Sequence, residues 1–307
     1  MSRSKRRSGF RENGADVSRI AAQVAYSPDG SFSLHPLDGH VKGISDPVPT
    51  ASLAKMMTTY LVFDALRDGR LKPEQRISIP KEVYKFKDSG FSVLPKGTKD
   101  VTVEEALVGM TLQSNNYLTY ALAKQVGGTE ANFVEMMNNK AQALDLDRTK
   151  FYSATGLPVI KGGKRYDSMS TLEELSRLQV HLYNDFPEYK EILGRDEAFV
   201  NGMQLGIGRN NPVLHGLGGD VHKTGTLKCN GSRGKRYSDI TSYDTNQDGK
   251  IDQVTGVMCA ASPEGRNSVL KSLKEQLEMT KPTASLLPVS DRDVTRPELL
   301  PSPSSAL

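Results

Sequence analysis

The stretch Pro49-Thr-Ala-Ser-Leu-Ala-Lys-Met-Met57 determines how the rest of the chain is interpreted. Apolar residues recur at helical spacing from Ala51 to Leu66, so the sequence predicts a helix there. Ser52 and Lys55 are three positions apart, which places their side chains on one helical face with Cβ atoms about 5–6 Å apart. A lysine of lowered pKa can take the proton from a serine and make it a nucleophile. Taken alone, the pattern also fits a capping serine beside a solvated lysine.

Two further motifs change this interpretation. Ser114-Asn115-Asn116 follows a predicted helix that opens with a T-x-x-E capping box at Thr102. His222-Lys-Thr-Gly-Thr226 lies on a predicted strand. Each motif alone fits a polar turn or an exposed strand lysine. Together, in the order S-x-x-K, S-x-N and K-T-G, they match the motif set of serine β-lactamases and penicillin-binding proteins.

Strand patterns occur at both ends of the chain and helical patterns in the middle. Residues 20–34 predict a β-hairpin that turns at Asp29-Gly30. We therefore expect a sheet that is assembled from distant segments and packed against helices. The other predicted elements are helices at 117–126, 130–143 and 267–279 and strands at 221–227 and 254–260.

Composition and charge exclude several classes of protein. The chain has 307 residues and a mean hydropathy of −0.46, and its apolar stretches are far shorter than the roughly 18 residues of a membrane span. The formal charge of the whole chain is +4, and residues 1–12 alone carry a charge of +4. The chain after residue 12 therefore has no net charge, which argues against a basic nucleic-acid-binding face on the folded body. The sequence does not decide whether Cys229 and Cys259 form one disulfide or remain two thiols. The first residues lack the apolar segment of an export signal.

The three motifs resemble one known family. Their order and placement are similar to those of the low-molecular-mass penicillin-binding proteins that are serine-type D-alanyl-D-alanine carboxypeptidases. The resemblance runs from about Ile20 to Ala261 and includes Thr155-Gly156-Leu157 and Asp185-Phe-Pro-Glu-Tyr189. It implies an α+β fold of the β-lactamase/transpeptidase type. In that fold an antiparallel sheet of N- and C-terminal strands packs with helices, beside a mostly helical subdomain.

The resemblance also implies a role for each matching residue. Ser52 would be the acylated nucleophile, Lys55 its base, and Ser114 the group that passes a proton to the leaving D-alanine. Asn116 would hold Lys55 and the amide on the acyl side of the substrate. Backbone N–H groups of Ser52 and Thr226 would form the oxyanion hole. The substrate-binding residues beside Asn116 would be Lys223, Thr224, Gly225, Thr226 and Arg209.

Composition and the resemblance together predict a simple domain organisation, and the sequence departs from the family at two points. We expect a flexible basic arm at 1–18, a catalytic domain at 19–280 with a hairpin insertion at about 230–253, and a disordered Pro/Ser-rich tail at 281–307. The usual S-G-N-D reads Ser114-Asn-Asn-Tyr117 here. The β-rich domain and amphipathic anchor of well-known members are not found in the sequence, so we expect a soluble, minimal catalytic domain.

A second candidate site lies between Asp244 and Asp252. The stretch matches the first nine positions of a calcium loop, although Thr255 stands where the bidentate glutamate is expected. A polar turn on Asp248-Gly249 explains the same residues. The candidate ligands of a structural calcium ion are Asp244, Asn246, Asp248, Lys250 and Asp252.

The expected function is removal of the terminal D-alanine from peptidoglycan stem peptides, without a required cofactor and with β-lactams as covalent inhibitors. This substrate implies the cell envelope, periplasm or cell exterior, with no nucleic-acid partner and no membrane span. One alternative is a β-lactamase of the same fold, although no E-x-x-L-N segment lies between Ser114 and Lys223. Another is a module that binds penicillin or peptidoglycan without turnover. A nucleic-acid binder that uses the basic arm is the third.

Overall fold

The structure is a computed structural model that describes residues 17–86, 93–187, 191–192, 195, 197–207, 219–227 and 234–280. Of the arm predicted at 1–18, residues 1–16 lie outside these ranges, whereas Ser18 is already the first residue of the first strand. The tail predicted from residue 281 also lies outside them. The helices are α1 (Lys55–Arg67), α2 (Val103–Gln113), α3 (Asn116–Gly127), α4 (Glu130–Ala143), α5 (Leu172–Asp185) and α6 (Pro263–Met279), with short 3-10 turns at Ala51–Ala54 and Lys81–Lys85. The strands are β1 (Ser18–Tyr26), β2 (Phe32–Pro36), β3 (Val48–Pro49), β4 (Arg76–Ser78), β5 (Asp100–Thr102), β6 (Val159–Lys161), β7 (Lys164–Tyr166), β8 (Met169–Ser170), β9 (Glu197–Val200), β10 (Met203–Ile207), β11 (Val221–Leu227), β12 (Arg236–Tyr243) and β13 (Gln253–Ala260).

The main sheet joins the two ends of the chain. Its strand order is β11-β12-β13-β1-β2, and each neighbouring pair is antiparallel. Ile20 of β1 pairs with Gly256 of β13, and β2 follows β1 through the predicted hairpin. The expected α+β architecture, with a sheet built from distant segments, is confirmed.

Helices cover both faces of this sheet. A Cβ placed on Gly256 would lie 2.7 Å from Leu172 Cδ1, so glycine at this position lets α5 approach the strand closely. The next residue, Val257, clusters with Leu270 of α6. Because side chains alternate along a strand, α5 and α6 pack on opposite faces of the sheet. The face of the sheet that packs against α5 adjoins the rest of the helical body. The site lies in that part of the molecule.

Helix α1 runs through the middle of the helical body. Its residues from Lys55 to Ala65 are all buried, so the helix is enclosed on every side. Helices α2, α3, α4 and α5 pack around it. Within the described ranges, no helix combines the length and the apolar character that a membrane span requires. The residues just before α1 are therefore attached to an enclosed helix.

Several predicted boundaries agree with the structure. The capping box at α2 is formed, because Glu105 N donates to Thr102 Oγ1 at 3.1 Å and Thr102 N donates to Glu105 Oε2 at 2.8 Å. Helix α2 ends just before Ser114, as expected, and α4 has the predicted bounds.

Cys259 is disulfide-bonded, whereas Cys229 lies outside the described part of the chain.

Two predicted segments differ from the structure. Residues 51–54 form a 3-10 turn and the α-helix begins at Lys55, because Ala51 has a φ of +48° that an α-helix cannot contain. Of the hairpin insertion expected at about 230–253, Arg236–Tyr243 forms strand β12 between β11 and β13. Because several of its buried side chains are polar, β12 lacks the alternation of apolar and polar residues that predicts a half-buried strand. The remaining polar turn covers residues 244–252.

Candidate active site

Ser52 lies on a 3-10 turn, and the chain segment around Gly156 packs closely against this turn. Gly156 has a φ of +76°, and a Cβ there would lie only 1.8 Å from the carbonyl oxygen of Ala51. Only glycine permits this approach without moving one of the two backbones. Thr155, the residue before this glycine, thereby brings its own carbonyl oxygen close to the side chain of Lys55.

Lys55 connects three parts of the site. Its side chain is fully buried, and its Nζ donates hydrogen bonds to Asn116 Oδ1 at 2.7 Å and to the Thr155 carbonyl at 2.8 Å. The same Nζ lies 3.0 Å from Ser52 Oγ, within hydrogen-bond distance. The amine is therefore held on two sides while its third contact is the hydroxyl of Ser52. This is the arrangement that proton transfer between a nucleophile and a base needs.

The corner between α2 and α3 supplies Ser114 and Asn116. Ser114 adopts the left-handed region with φ +58°, which turns the chain out of α2. Asn115 then caps α3, because its Oδ1 accepts hydrogen bonds from the backbone N–H groups of Tyr117 at 3.0 Å and Leu118 at 3.2 Å. This corner fixes the direction in which the two neighbouring side chains enter the site.

Lys223 approaches the same corner from the sheet. It is 1% exposed, and its Nζ donates to Ser114 Oγ at 3.2 Å and to the carbonyl of Thr224 at 3.0 Å. A Cβ on Gly225 would lie 3.2 Å from the Thr50 carbonyl, which shows how closely β11 runs beside the Ser52 turn. The edge of β11, with Lys223, and the turn that carries Ser52 thus lie side by side.

The structure brings most of the predicted site residues together. They form two hydroxyl–amine pairs, Ser52 with Lys55 and Ser114 with Lys223. Asn116 contacts the first pair through Lys55. Thr224, Gly225 and Thr226 follow Lys223 on β11, and Arg209 lies outside the described residues. The sequence model of peptidase family S11, described as D-alanyl-D-alanine carboxypeptidase, matches residues 41–233 and so includes both pairs. The chain belongs to this family.

Curated relatives of this family are similar over part of their length. D-alanyl-D-alanine carboxypeptidase DacA of Escherichia coli is 28% identical over 229 residues, which cover 73% of this chain and 53% of the relative. D-alanyl-D-alanine carboxypeptidase DacF of Bacillus subtilis is 31% identical over 116 residues, or 38% of this chain and 29% of the relative. The chain therefore spans about half the length, or less, of these two relatives.

Solved structures with this fold come from penicillin-binding proteins. A peptidoglycan synthesis regulatory factor of Streptococcus pneumoniae superposes with a TM-score of 0.69 at 23% identity, over 86% of this chain and 79% of that one. Penicillin-binding protein D2 of Listeria monocytogenes, solved with cefotaxime bound, gives 0.63 at 24% identity, over 84% and 96%. The fold class that the sequence predicted is thus the fold of these proteins.

Two contributions to the site were not assigned from the sequence. The first is the Thr155 carbonyl, which holds Lys55, although the Thr155-Gly156-Leu157 turn was already part of the family resemblance. The second is Asn115, which stands where the family usually has glycine. Besides capping α3, its Nδ2 donates to the Val93 carbonyl at 3.2 Å. An asparagine just before a helix is a recognisable cap signal, but its second bond joins residues 22 positions apart.

The candidate calcium ligands lie in the turn between β12 and β13. The Asp244 carboxylate accepts hydrogen bonds from the backbone N–H groups of Asp248 and Gly249, both at 3.1 Å. Asp252 Oδ2 accepts from Thr245 N at 2.9 Å, and burial raises the pKa of Asp252. Asn246 and Lys250 lie in the same turn. Within the described ranges, no group of three or more His, Cys, Asp or Glu side chains is placed to hold a metal ion. The calcium site stays a prediction.

Proposed function

We propose that the chain is a serine DD-carboxypeptidase that removes the terminal D-alanine from peptidoglycan stem peptides through an acyl-enzyme on Ser52. The observation that carries the proposal is the placement of the buried Lys55 amine, 3.0 Å from Ser52 Oγ and held by Asn116 and the Thr155 carbonyl. Membership in the D-alanyl-D-alanine carboxypeptidase family supports the same reaction.

The neutral form of Lys55 suits the role of base. A neutral amine has two N–H donors and one lone pair. Asn116 Oδ1 and the Thr155 carbonyl can take the two donors, which leaves the lone pair directed at the hydroxyl of Ser52. Proton transfer to Nζ then produces the alkoxide that attacks the substrate carbonyl, and general-base assistance of this kind is worth about 10²- to 10⁴-fold in rate.

The acyl transfer breaks one bond and forms another. Ser52 Oγ bonds to the carbonyl carbon of the penultimate D-alanine, and the backbone N–H groups of Ser52 and Thr226 would stabilise the oxyanion. The C–N bond to the terminal D-alanine then breaks. Ser114 passes a proton to the departing amine and receives in its place the proton that Lys55 took from Ser52. Water then attacks the ester while Lys55 accepts a proton from this water, and that proton returns to Ser52 Oγ as the ester C–O bond breaks, so that Ser52 and Lys55 are both restored. No cofactor is needed, because side chains supply the nucleophile, the base and the acid.

The strand side of the site fits the carboxylate of the substrate. Lys223 brings a buried ammonium to the edge of β11, and Thr224 and Thr226, which carry hydroxyl groups, follow it on the same strand. A cation with hydroxyl donors is the arrangement that a carboxylate needs when it leaves water. β-Lactams carry a carboxylate in the same relation to a reactive carbonyl, and the Listeria protein of this fold was solved with cefotaxime and with ampicillin bound. Peptidoglycan as substrate implies action in the cell envelope.

Labelling with a fluorescent penicillin tests the proposal. We expect one covalent adduct, which mass spectrometry of peptides from the folded protein will map to Ser52. Ser52→Ala should lose the adduct, whereas the matched control Ser176→Ala should keep it, because Ser176 is buried in α5 and donates to the Leu172 carbonyl. Absence of an adduct at Ser52 in folded wild-type protein would contradict the acyl-enzyme.

A second measurement separates the proposed reaction from its alternatives. A synthetic stem pentapeptide that ends in D-Ala-D-Ala should release D-alanine in the presence of the wild-type protein. Labelling at Ser52 without any release would identify a binding module that does not turn over. Fast hydrolysis of a chromogenic cephalosporin would instead identify a β-lactamase.

A further inference from the structure

His222 lies behind the strand edge that carries Lys223. Because side chains alternate along a strand, His222 and Lys223 point to opposite faces of β11. His222 is fully buried, and its Nδ1 lies 2.8 Å from Thr241 Oγ1 and 3.1 Å from Asp239 Oδ1. In the register of the sheet, His222 pairs with Thr241 and Thr224 pairs with Asp239. The side-chain contacts therefore add to the backbone pairing of β11 with β12.

Asp239 extends these contacts to α6. Its carboxylate is fully buried, and Oδ1 accepts a hydrogen bond from Thr241 Oγ1 at 3.1 Å. Its Oδ2 lies 3.6 Å from Nε of Arg266, which is 5% exposed. A buried carboxylate is stable only with donors or a cation close by, and here they come from two strands and a helix. We call the set His222, Thr241, Asp239 and Arg266 the back network.

The back network constrains geometry more than an apolar core would. Replacement of buried ion pairs by well-packed apolar side chains is often neutral or stabilising, so stability alone does not account for such a network. Hydrogen bonds require defined distances and angles, whereas apolar contacts tolerate small displacements. β11 stands at the end of the sheet order, which makes β12 the strand that can fix its position. The back network joins these two strands at the residue next to Lys223.

We propose that His222 and Asp239 are positioning residues that hold Lys223 where it meets the carboxylate of the substrate. The inference rests on the proposed function, in which Lys223 binds that carboxylate. A displacement of about 1 Å at such a group can lower the rate by about 100-fold. Loss of the back network should therefore impair ligands with a free carboxylate. Ligands without one should be affected much less.

The experiment compares benzylpenicillin with its methyl ester. The second-order rate constant of acylation is measured by mass spectrometry for both ligands, and the acid-to-ester ratio is the readout. We expect His222→Leu to lower this ratio by about 10- to 100-fold, because the ester does not depend on Lys223 in the same way. Thr241→Val, a milder change of the same network, should lower the ratio less. His222→Asn keeps a donor near the position of Nδ1, so its acid-to-ester ratio should lie between that of His222→Leu and that of the wild type.

A matched control separates positioning from loss of stability. Leu277→Ala removes a buried side chain of α6 that clusters with Ala21 of β1, away from β11 and β12, and should lower the melting temperature without changing the ratio. An unchanged ratio in folded His222→Leu and Thr241→Val, with acylation of the wild type intact, would overturn the positioning role alone. Failure of benzylpenicillin to acylate the folded wild type would overturn the positioning role together with the proposed function.

Discussion

The two sides of the candidate site are built differently. The helical floor consists of Ser52, Lys55, Asn116 and the Thr155 carbonyl, and its central pair is separated by less than one helical turn. The strand wall consists of Lys223–Thr226, which depends on pairing with β12 and on the back network behind it. The central pair of the floor is thus local in sequence, whereas Asn116 and Thr155 reach Lys55 from 61 and 100 positions away. The helix that begins at Lys55 is enclosed by other helices. The wall is an edge strand whose position is set from a distance.

Removal of the amine on each side should expose this difference most strongly. Lys55→Met should lower acylation by benzylpenicillin and by its methyl ester alike, by about 10²- to 10⁴-fold, because the base is lost for both ligands. Lys223→Met should lower acylation by benzylpenicillin by about 10- to 100-fold, the range expected for one charge-assisted hydrogen bond, and spare the ester. Stopped-flow or mass-spectrometric acylation rates provide the measurement.

Lys124→Met is a suitable control for this comparison. Lys124 is a half-exposed lysine of α3 that pairs with Glu82 at 3.2 Å, outside the site. Its replacement should leave both acylation rates close to those of the wild type, since surface ion pairs contribute little. If Lys55→Met spared the ester, or if Lys223→Met impaired both ligands equally, the division of roles between floor and wall would be wrong.

A smaller effect is expected when the floor is moved without loss of a functional group. Gly156→Ala places a Cβ where the Ala51 carbonyl now lies, so the Ser52 turn or the Thr155 carbonyl must shift. We expect acylation of both ligands to fall by up to about 100-fold. Gly69→Ala, with φ +71° and open space around it, carries only the backbone cost of about 1 kcal/mol. Equal acylation rates in the two variants would show that the close approach at Gly156 is not required.

The same difference explains what the sequence could predict. The S-x-x-K and K-T-G motifs are short, and the helical and strand patterns around them predicted Lys55 on α1 and Lys223 on β11. The capping box at Thr102 likewise predicted where α2 begins. The length of the helical pattern that follows predicted that α2 ends near Ser114. Features of this kind depend on residues a few positions apart, which is why pattern and propensity detect them.

Features that depend on distant residues could not be found in this way. Strand β12 carries buried polar side chains whose partners lie on other elements, so it lacks the alternation that predicts a strand. The link between His222 and Asp239 joins residues whose proximity follows only from strand register. The 3-10 turn before α1 depends on a φ of +48° at Ala51, a residue type that gives no sign of it.

The smallest expected effect concerns a carboxylate under the floor. Glu130 Oε1 accepts a hydrogen bond from Ala154 N at 3.2 Å, one residue before Thr155, and burial raises the pKa of Glu130 above its ordinary value of 4.5. The folded state therefore binds this proton more tightly than the unfolded state. It follows that stability from this group is complete below 4.5 and is lost as the pH rises through the raised pKa. Ionised Glu130 should cost stability near neutral pH.

Glu130→Gln keeps an oxygen acceptor for Ala154 N and removes the charge. The variant should be more stable than the wild type near neutral pH, and the difference in free energy of unfolding should shrink as the pH is lowered toward 4.5. Urea unfolding across that range measures it, with Glu135→Gln as a control on the exposed side of the same helix. Acylation should be unchanged in both, because the turn that carries Thr155 keeps its support. A stability difference that did not vary with pH would show that the carboxylate acts through packing alone.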